Sequence, residues 1–385
     1  MSTDLSQAAS SAAPSPLPKA DIQRILLINF GGIGDEILFF PVIETLRYAY
    51  PHAYLSILVE PRCHNLMDHH YFIDEVLTFD IKHRKSPGDL LDLLTLIRGN
   101  EADMVISSGG SSLVAPLLFL SGASYRVGYD AGRFPGLLTH RAPLNKAQYA
   151  ANMYHDLLNP LGLARANVVP QTSLPTIVKH WSHQWLSTQD LTTGDHVKDY
   201  VLIHPGVSLM SKEKQLIKSW ERNRWCQLIQ RLLKEGTPVV LAGGPDDAEE
   251  VNYITARIQH PLFKVAYGHT RDLYQLGGLI EAAGVTVCVD SAPMHLAIAL
   301  QSPLVAIFGP TDENKLVPKD ARYQVVKHDV SCRPCLWETR NTTCATLDCL
   351  TGIQVKQVYA AVRGFLPLTS PPATVGSSAS KGVGV

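Results

Sequence analysis

Charge of either sign is sparse and balanced in this 385-residue chain: 34 Lys and Arg face 35 Asp and Glu, together 18% of all residues. With no net basic field to grip a phosphate backbone, general nucleic-acid binding is excluded and only local anion sites remain open. A hydrophobic fraction of 45% excludes a disordered, solvated chain. Clean apolar runs are missing as well. Residues 104–125 and 291–311 carry no charge, but Gly109, Gly110, Pro116 and Gly122 interrupt the first and Pro293, His295, Gln301 and Pro303 the second, so neither reads as a membrane span. Met1 to Pro18 has no basic start and no apolar centre, so no secretory leader is expected and the chain reads as cytoplasmic.

What is present is a rhythm. Both ends are rich in Ser, Ala, Pro and Gly, and read as disordered tails over residues 1–20 and 366–385. Between them, RILLINF (24–30), YLSILVE (54–60), residues 76–80 and residues 104–108 read as buried strands, each followed by a helical stretch. Residues 131–152 read as loop, and the rhythm resumes at YVLIH (200–204), PVVLA (238–242), residues 264–267, VTVCVD (285–290) and LVAIF (304–308). Continuous apolar strands alternating with helices predict parallel sheets covered on both faces. The expected fold class is therefore α/β, with two doubly wound, Rossmann-like domains at 21–175 and 176–365. Ligands of such domains bind beyond the carboxyl ends of the strands, here in the cleft between the halves.

The turn Asn29-Phe30-Gly31-Gly32-Ile33-Gly34-Asp35-Glu36 joins the first strand to the first helix. Two readings stay open. One is a dinucleotide-binding turn, with Glu60 ending the second strand where an acid would meet a ribose; this makes an NAD-dependent oxidoreductase the alternative function. Ile37 stands where that motif has its third small residue. The other takes Asp35 as a general base at the cleft floor, against its plain use as a helix-start carboxylate. In the second half, His204-Pro205-Gly206, Ser208, Lys218-Ser219-Trp220, Gly243-Gly244-Pro245-Asp246-Asp247, Asp290-Ser291-Ala292-Pro293-Met294-His295 and Phe308-Gly309-Pro310-Thr311 all follow strands and can face one cleft. A loop lysine such as Lys218 can reach a phosphate as a mobile point charge.

Together, in order, these blocks resemble glycosyltransferase family 9, the ADP-heptose:lipopolysaccharide heptosyltransferases and their relatives. The resemblance spans about residues 24–365. VDSAPMHLAIALQSPLVAIFGPT is similar to the family's D-(S/T)-G-x-x-H…FGPT signature, and INFGGIGDEILFFPVIETLR to its opening strand, G-D turn and helix. It implies a GT-B fold with the acceptor on the N-terminal half and a nucleotide-sugar donor, an ADP-sugar, on the C-terminal half. It also implies inversion at the anomeric carbon with no cofactor or metal required. Asp35 would be the base. Gly32, Gly34, His204, Ser208, Lys218, Asp247, Asp290, Ser291, Ala292, His295, Gly309 and Thr311 would bind substrate, with Lys218 on the donor diphosphate. The implied acceptor is a lipid-linked glycan of the lipopolysaccharide-core type, with peripheral contact at the inner membrane. Ala292 replaces the signature glycine and Glu221 the usual proline after the tryptophan. A catalytically degenerate nucleotide-sugar-binding protein is therefore a further alternative.

Three features stand outside those blocks. Cys332, Cys335, Cys344 and Cys349 have spacings compatible with a structural zinc site. Trp337 and Arg340 would pack or solvate that segment, and Asn341-Thr342-Thr343 fits a glycosylation sequon without meaning in the cytoplasm. FPGLL (134–138), flanked by Arg133 and Arg141, could touch a lipid-linked acceptor. By family analogy, the helix over residues 355–365 crosses back to brace the hinge.

Overall fold

The structure is a computed structural model describing residues 21–197, 199–213, 216–336, 344 and 346–366. The tail 1–20, the rest of the second tail from residue 367, Trp337, Arg340 and the Asn341-Thr342-Thr343 triplet lie outside the described residues.

Strand β1 (Arg24–Asn29) shows how the sequence builds the first sheet. Ile25 and Leu27 face one core, Leu26 and Ile28 the other, so both faces must be covered by helices. The chain continues through α1 (Ile33–Ala49), β2 (Tyr54–Val59), α2 (His64–Asp68), β3 (Glu75–Thr78), α3 (Pro87–Gly99), β4 (Met104–Ser107), α4 (Val114–Leu120), β5 (Tyr125–Tyr129), β6 (His140–Ala142) and α5 (Ala150–His155). The strands form one sheet in the order β3-β2-β1-β4-β5-β6, and every pair is parallel. Helices α3 and α4 cover one face, α1, α2 and α5 the other.

Helix α6 (Thr176–Thr188) and the hairpin β7 (Thr192–Thr193) and β8 (His196–Val197) lead into the second unit. There the order is β9 (Val201–His204), α7 (Leu209–Glu213), α8 (Arg222–Lys234), β10 (Val239–Leu241), α9 (Ala248–Thr255), β11 (Phe263–Val265), α10 (Leu273–Ala282), β12 (Val285–Val289), α11 (Ala292–Ala299), β13 (Leu304–Phe308), β14 (Tyr323–Lys327), α12 (Asp348–Thr351) and α13 (Val355–Arg363). Its sheet runs β11-β10-β9-β12-β13-β14, again parallel throughout. The strand order reverses beside β1 in one sheet and β9 in the other, which places each switch point under the expected site turns. One apolar core runs through α1, α10 and α11, so the inner faces of the two units share buried surface. The Tyr274 hydroxyl on α10 donates to the Leu66 carbonyl at 3.1 Å across that boundary.

Three sequence expectations are corrected. Residues 131–152 hold β6 and the start of α5 rather than loop alone; His140-Arg141-Ala142 is a short polar edge strand with no apolar alternation to announce it. Helix α13 packs on α8, β13 and β14 of its own sheet rather than across the hinge. Leu366, assigned to the tail, is buried in that same core.

Candidate functional site

Asp35 is the third residue of α1, and its half-buried carboxylate does two local jobs. Oδ2 accepts the Gly32 backbone N–H at 2.7 Å, fixing the helix start. Oδ1 accepts the Tyr154 hydroxyl at 2.9 Å. Gly31 makes this fold-back sterically feasible, because a Cβ there would lie 2.3 Å from the Asp35 Cβ. Tyr154 comes from α5, is itself buried, and burial together with the neighbouring Asp35 charge holds its hydroxyl well above the usual tyrosine range. It therefore remains a donor at any physiological pH.

The second unit reaches this carboxylate through α11. His295 packs against Gly34, where a Cβ would meet the imidazole Cδ2 at 2.6 Å. Burial lowers the His295 pKa; Asp290 and Asp35 oppose that shift and Lys218 adds to it. Those causes place Asp35, Asp290, Lys218 and His295 in one electrostatic neighbourhood with a neutral imidazole at its centre. Lys218 Nζ pairs with Asp290 Oδ2 at 3.2 Å, both groups largely withdrawn from solvent. Asp290 follows β12 directly and Ser291 opens α11 in extended backbone, its hydroxyl turned to the Val289 carbonyl at 3.3 Å. Ala292 sits in the first helical turn and is not among the positive-φ residues, so this position makes no backbone demand for glycine.

A second buried pair lies deeper in the same unit. His204 Nε2 stands 3.4 Å from Asp247 Oδ2, and that oxygen also accepts the Gly244 N–H at 2.8 Å. Burial pushes His204 down and Asp247 up, each partner opposing the other's shift. Gly206 lets the strand-end turn close over this carboxylate: a Cβ there would fall 1.6 Å from Asp247 Oδ1. Asp247 Oδ1, His204 Nδ1 and the buried Thr311 Oγ1 have no hydrogen-bond partner among the described residues. Ser208 is exposed and bonds Ser211 at 3.0 Å. Gly309 packs under Leu350, and its carbonyl accepts from Arg333. Gly32 lies beneath Arg62, whose Nη2 would be 3.3 Å from a Cβ at that glycine.

Two sequence expectations change here. Glu60 is buried and paired with Lys82 at 3.3 Å, so it is held by a neighbouring cation rather than offered to a ribose. Cys332, Cys335, Cys344 and Cys349 do line one hollow, but no three Cys, His, Asp or Glu side chains among the described residues converge to hold a metal ion. The buried Arg333 guanidinium shares that hollow, fixed by Gly309 O, Thr311 O at 3.1 Å and Glu313 at 2.9 Å, and it brings a positive charge to the thiols instead. Among the described residues the expected zinc site is not formed.

Sequence reasoning missed Tyr154, Arg62 and Glu36. Glu36 follows Asp35 yet is wholly buried; Asn29 Nδ2 donates to its Oε2 at 3.2 Å, and its Oε1 has no partner among the described residues. Burial first, then the Asp35 charge, hold its carboxyl well above the usual glutamate range. A charge inside an otherwise apolar α1 segment (Glu36 to Ile43) was the signal available for it.

Comparison with known proteins agrees with this geometry. Residues 91–345 match Glycosyltransferase family 9 (heptosyltransferase). The chain is 28% identical over 291 residues to lipopolysaccharide heptosyltransferase 3 of Escherichia coli, covering 72% of this chain and 81% of that protein. It superposes on the glycosyl transferase family 9 structure from Veillonella parvula with a TM-score of 0.72, at 22% identity, over 90% of this chain and 98% of that one. An Escherichia coli heptosyltransferase with ADP-2-deoxy-2-fluoro heptose gives a TM-score of 0.63 at 18% identity, covering 89% and 98%. The fold is GT-B.

Proposed function

The chain belongs to glycosyltransferase family 9, and from that premise we propose that this glycosyltransferase moves a heptose from ADP-heptose to a lipid-linked glycan of the lipopolysaccharide-core type, with inversion and without a metal ion. The observation that carries the reading is the meeting of Asp35 with His295, Lys218 and Asp290 at the boundary between the two units. The name of the Escherichia coli heptosyltransferase solved with an ADP-heptose analogue supports the donor class.

In this reading the acceptor hydroxyl lies against Asp35, which takes its proton as the oxygen attacks the anomeric carbon. The new C–O bond forms on one face while the bond to the diphosphate breaks on the other, and ADP leaves with the electron pair. Lys218 exchanges Asp290 for the diphosphate and meets the charge that develops there, joined by the backbone amides opening α11. Neutral His295 offers a ring N–H without adding a positive charge beside Asp35. His204, Asp247 and Thr311 supply the unpaired buried polar atoms that a ribose and phosphate would satisfy.

The test has two parts. Calorimetry against ADP, UDP, GDP and NAD in the presence of a chelator should show selective ADP binding; preference for UDP or GDP would change the donor, and NAD binding alone would overturn the reading. Asp35→Asn should then abolish transfer while leaving ADP affinity within about twofold, since the loss concerns the transition state alone. Normal transfer by that variant would remove Asp35 from the role.

A further inference from the structure

Helix α4 has no polar side chain: from its N-cap, Leu113 to Leu120 reads LVAPLLFL. Ala115 and Leu118 point into the core beneath the sheet. Leu113, Phe119 and Leu120 are exposed by 63%, 51% and 52%. Leu113, Pro116 and Leu120 follow the i, i+3, i+7 spacing along the outer side of the helix, with Leu117 partly packed on the core beside them. The turn Pro135–Leu137 packs beside α4, and Phe134, just before it, is likewise exposed. Leu138, by contrast, is buried, so of the FPGLL segment it is Phe134 that joins this surface. A helix facing solvent ordinarily turns polar groups outward, and a contiguous apolar patch with a polar rim marks a contact surface.

The rim is basic. From Ser107 to Tyr149 the charged residues are Arg126, Asp130, Arg133, Arg141 and Lys146, four cations against one anion in a chain whose totals nearly cancel. The Arg126 and Arg133 guanidinium carbons each lie 5.6 Å from a ring of the patch, Phe119 and Phe134 respectively. Arg133, Arg141 and Lys146 are exposed and form no ion pair among the described residues. Aromatic and aliphatic groups at the centre with arginines at the margin match the boundary between acyl chains and anionic headgroups.

We infer that α4, Phe134 and their arginine rim dock this protein on an anionic lipid bilayer. The surface is coupled to the site. The Ser108 hydroxyl, at the head of the loop leading to α4, donates to Asn29 Oδ1 at 2.7 Å, and Asn29 opens the turn that carries Asp35. An acceptor whose lipid end stays in the bilayer is thereby delivered to the unit holding the base. That delivery rests on the transferase reading; the docking surface does not.

The experiment is flotation of the full chain with vesicles of phosphatidylglycerol and phosphatidylethanolamine, or of phosphatidylcholine alone, run beside ADP calorimetry. The wild type should float with the anionic vesicles, lose that binding as salt rises, and ignore phosphatidylcholine. Both the apolar variant Phe119→Ser/Phe134→Ser and the charge variant Arg133→Glu/Arg141→Glu should weaken vesicle binding at least about tenfold with unchanged melting temperature and ADP affinity. The charge variant changes only exposed side chains and protects the test against misfolding of the apolar one. A wild type that stays with the soluble fraction, or variants that float as well as it does, overturns the proposal, as does a patch whose loss merely separates a dimer. ADP binding without flotation defeats the docking surface alone; flotation without ADP binding defeats the transferase reading alone.

Discussion

Gly34 and His295 are the point where the two units touch at the site: the imidazole of α11 occupies the space a side chain on Gly34 would need. Gly34 lies within α1, so alanine there suits the backbone and would favour the helix by about 1 kcal/mol. Its methyl group, however, would stand 2.6 Å from Cδ2 and 3.0 Å from Nε2 of His295, inside any tolerable contact.

Gly34→Ala is therefore expected to fold and to melt within a few degrees of the wild type, but to hold the two halves slightly apart. Transfer should fall about tenfold or more, because an ångström of misplacement at the reacting atoms is costly. ADP affinity, set by the second unit, should stay within about twofold. Steady-state kinetics beside calorimetry separate the two; equal losses in both would mean that the contact serves donor binding instead.

Tyr154→Phe tests the hydroxyl that holds Asp35 from the far side. The ring remains, with its edge-on packing against Phe39 at 5.8 Å, so the stability cost is that of one hydrogen bond, about 1 kcal/mol. Asp35 keeps its bond to the Gly32 N–H but loses its second anchor. The turnover number should drop about tenfold with little change in KM, and a KM effect alone would assign Tyr154 to acceptor binding.

The strands that carry the site were legible because a strand buried on both faces has nowhere to place polar groups: VTVCV and LVAIF could hardly be anything else. The turns and helix starts that follow such strands, which hold Asp35, Lys218, Asp290 and His295, were legible from their glycines and helix-start residues. Tyr154 was not. Helix α5 is six residues long, follows a polar edge strand, and meets Asp35 across 119 positions of sequence, a contact that no local pattern encodes. Arg62 stayed hidden for the same reason, since its neighbour Gly32 lies on another turn. The cysteine spacing was legible only in part: the four thiols do gather, but no three metal-ligating side chains among the described residues converge, and Arg333 brings its charge to their hollow.

Lys218→Ala should weaken ADP binding about 10- to 100-fold, the scale expected for removing a charge-assisted contact to a diphosphate. It also strands Asp290, which is buried and loses its cation, so a stability cost of about 1–3 kcal/mol accompanies the binding loss. The double variant Lys218→Ala/Asp290→Asn should recover most of the stability and none of the affinity. Recovery of both would show that the pair matters only to the fold.

Glu36→Gln turns the buried acid into a stability probe with a defined sign. A carboxyl held well above its usual value near 4.5 stays protonated in the folded protein while the unfolded chain ionises. Rising pH then favours the unfolded state, so the benefit of protonated Glu36 is complete in acid and is lost progressively from about pH 4.5 upward. Glutamine has no such dependence. The stability of Glu36→Gln relative to wild type should therefore climb with pH, by up to about 1.4 kcal/mol per unit, until the folded-state carboxyl itself ionises. Urea titrations from pH 4 to pH 8 read this directly. A flat difference would mean that the folded carboxyl titrates like the unfolded one, its burial offset by the Asn29 hydrogen bond and the Arg62 charge.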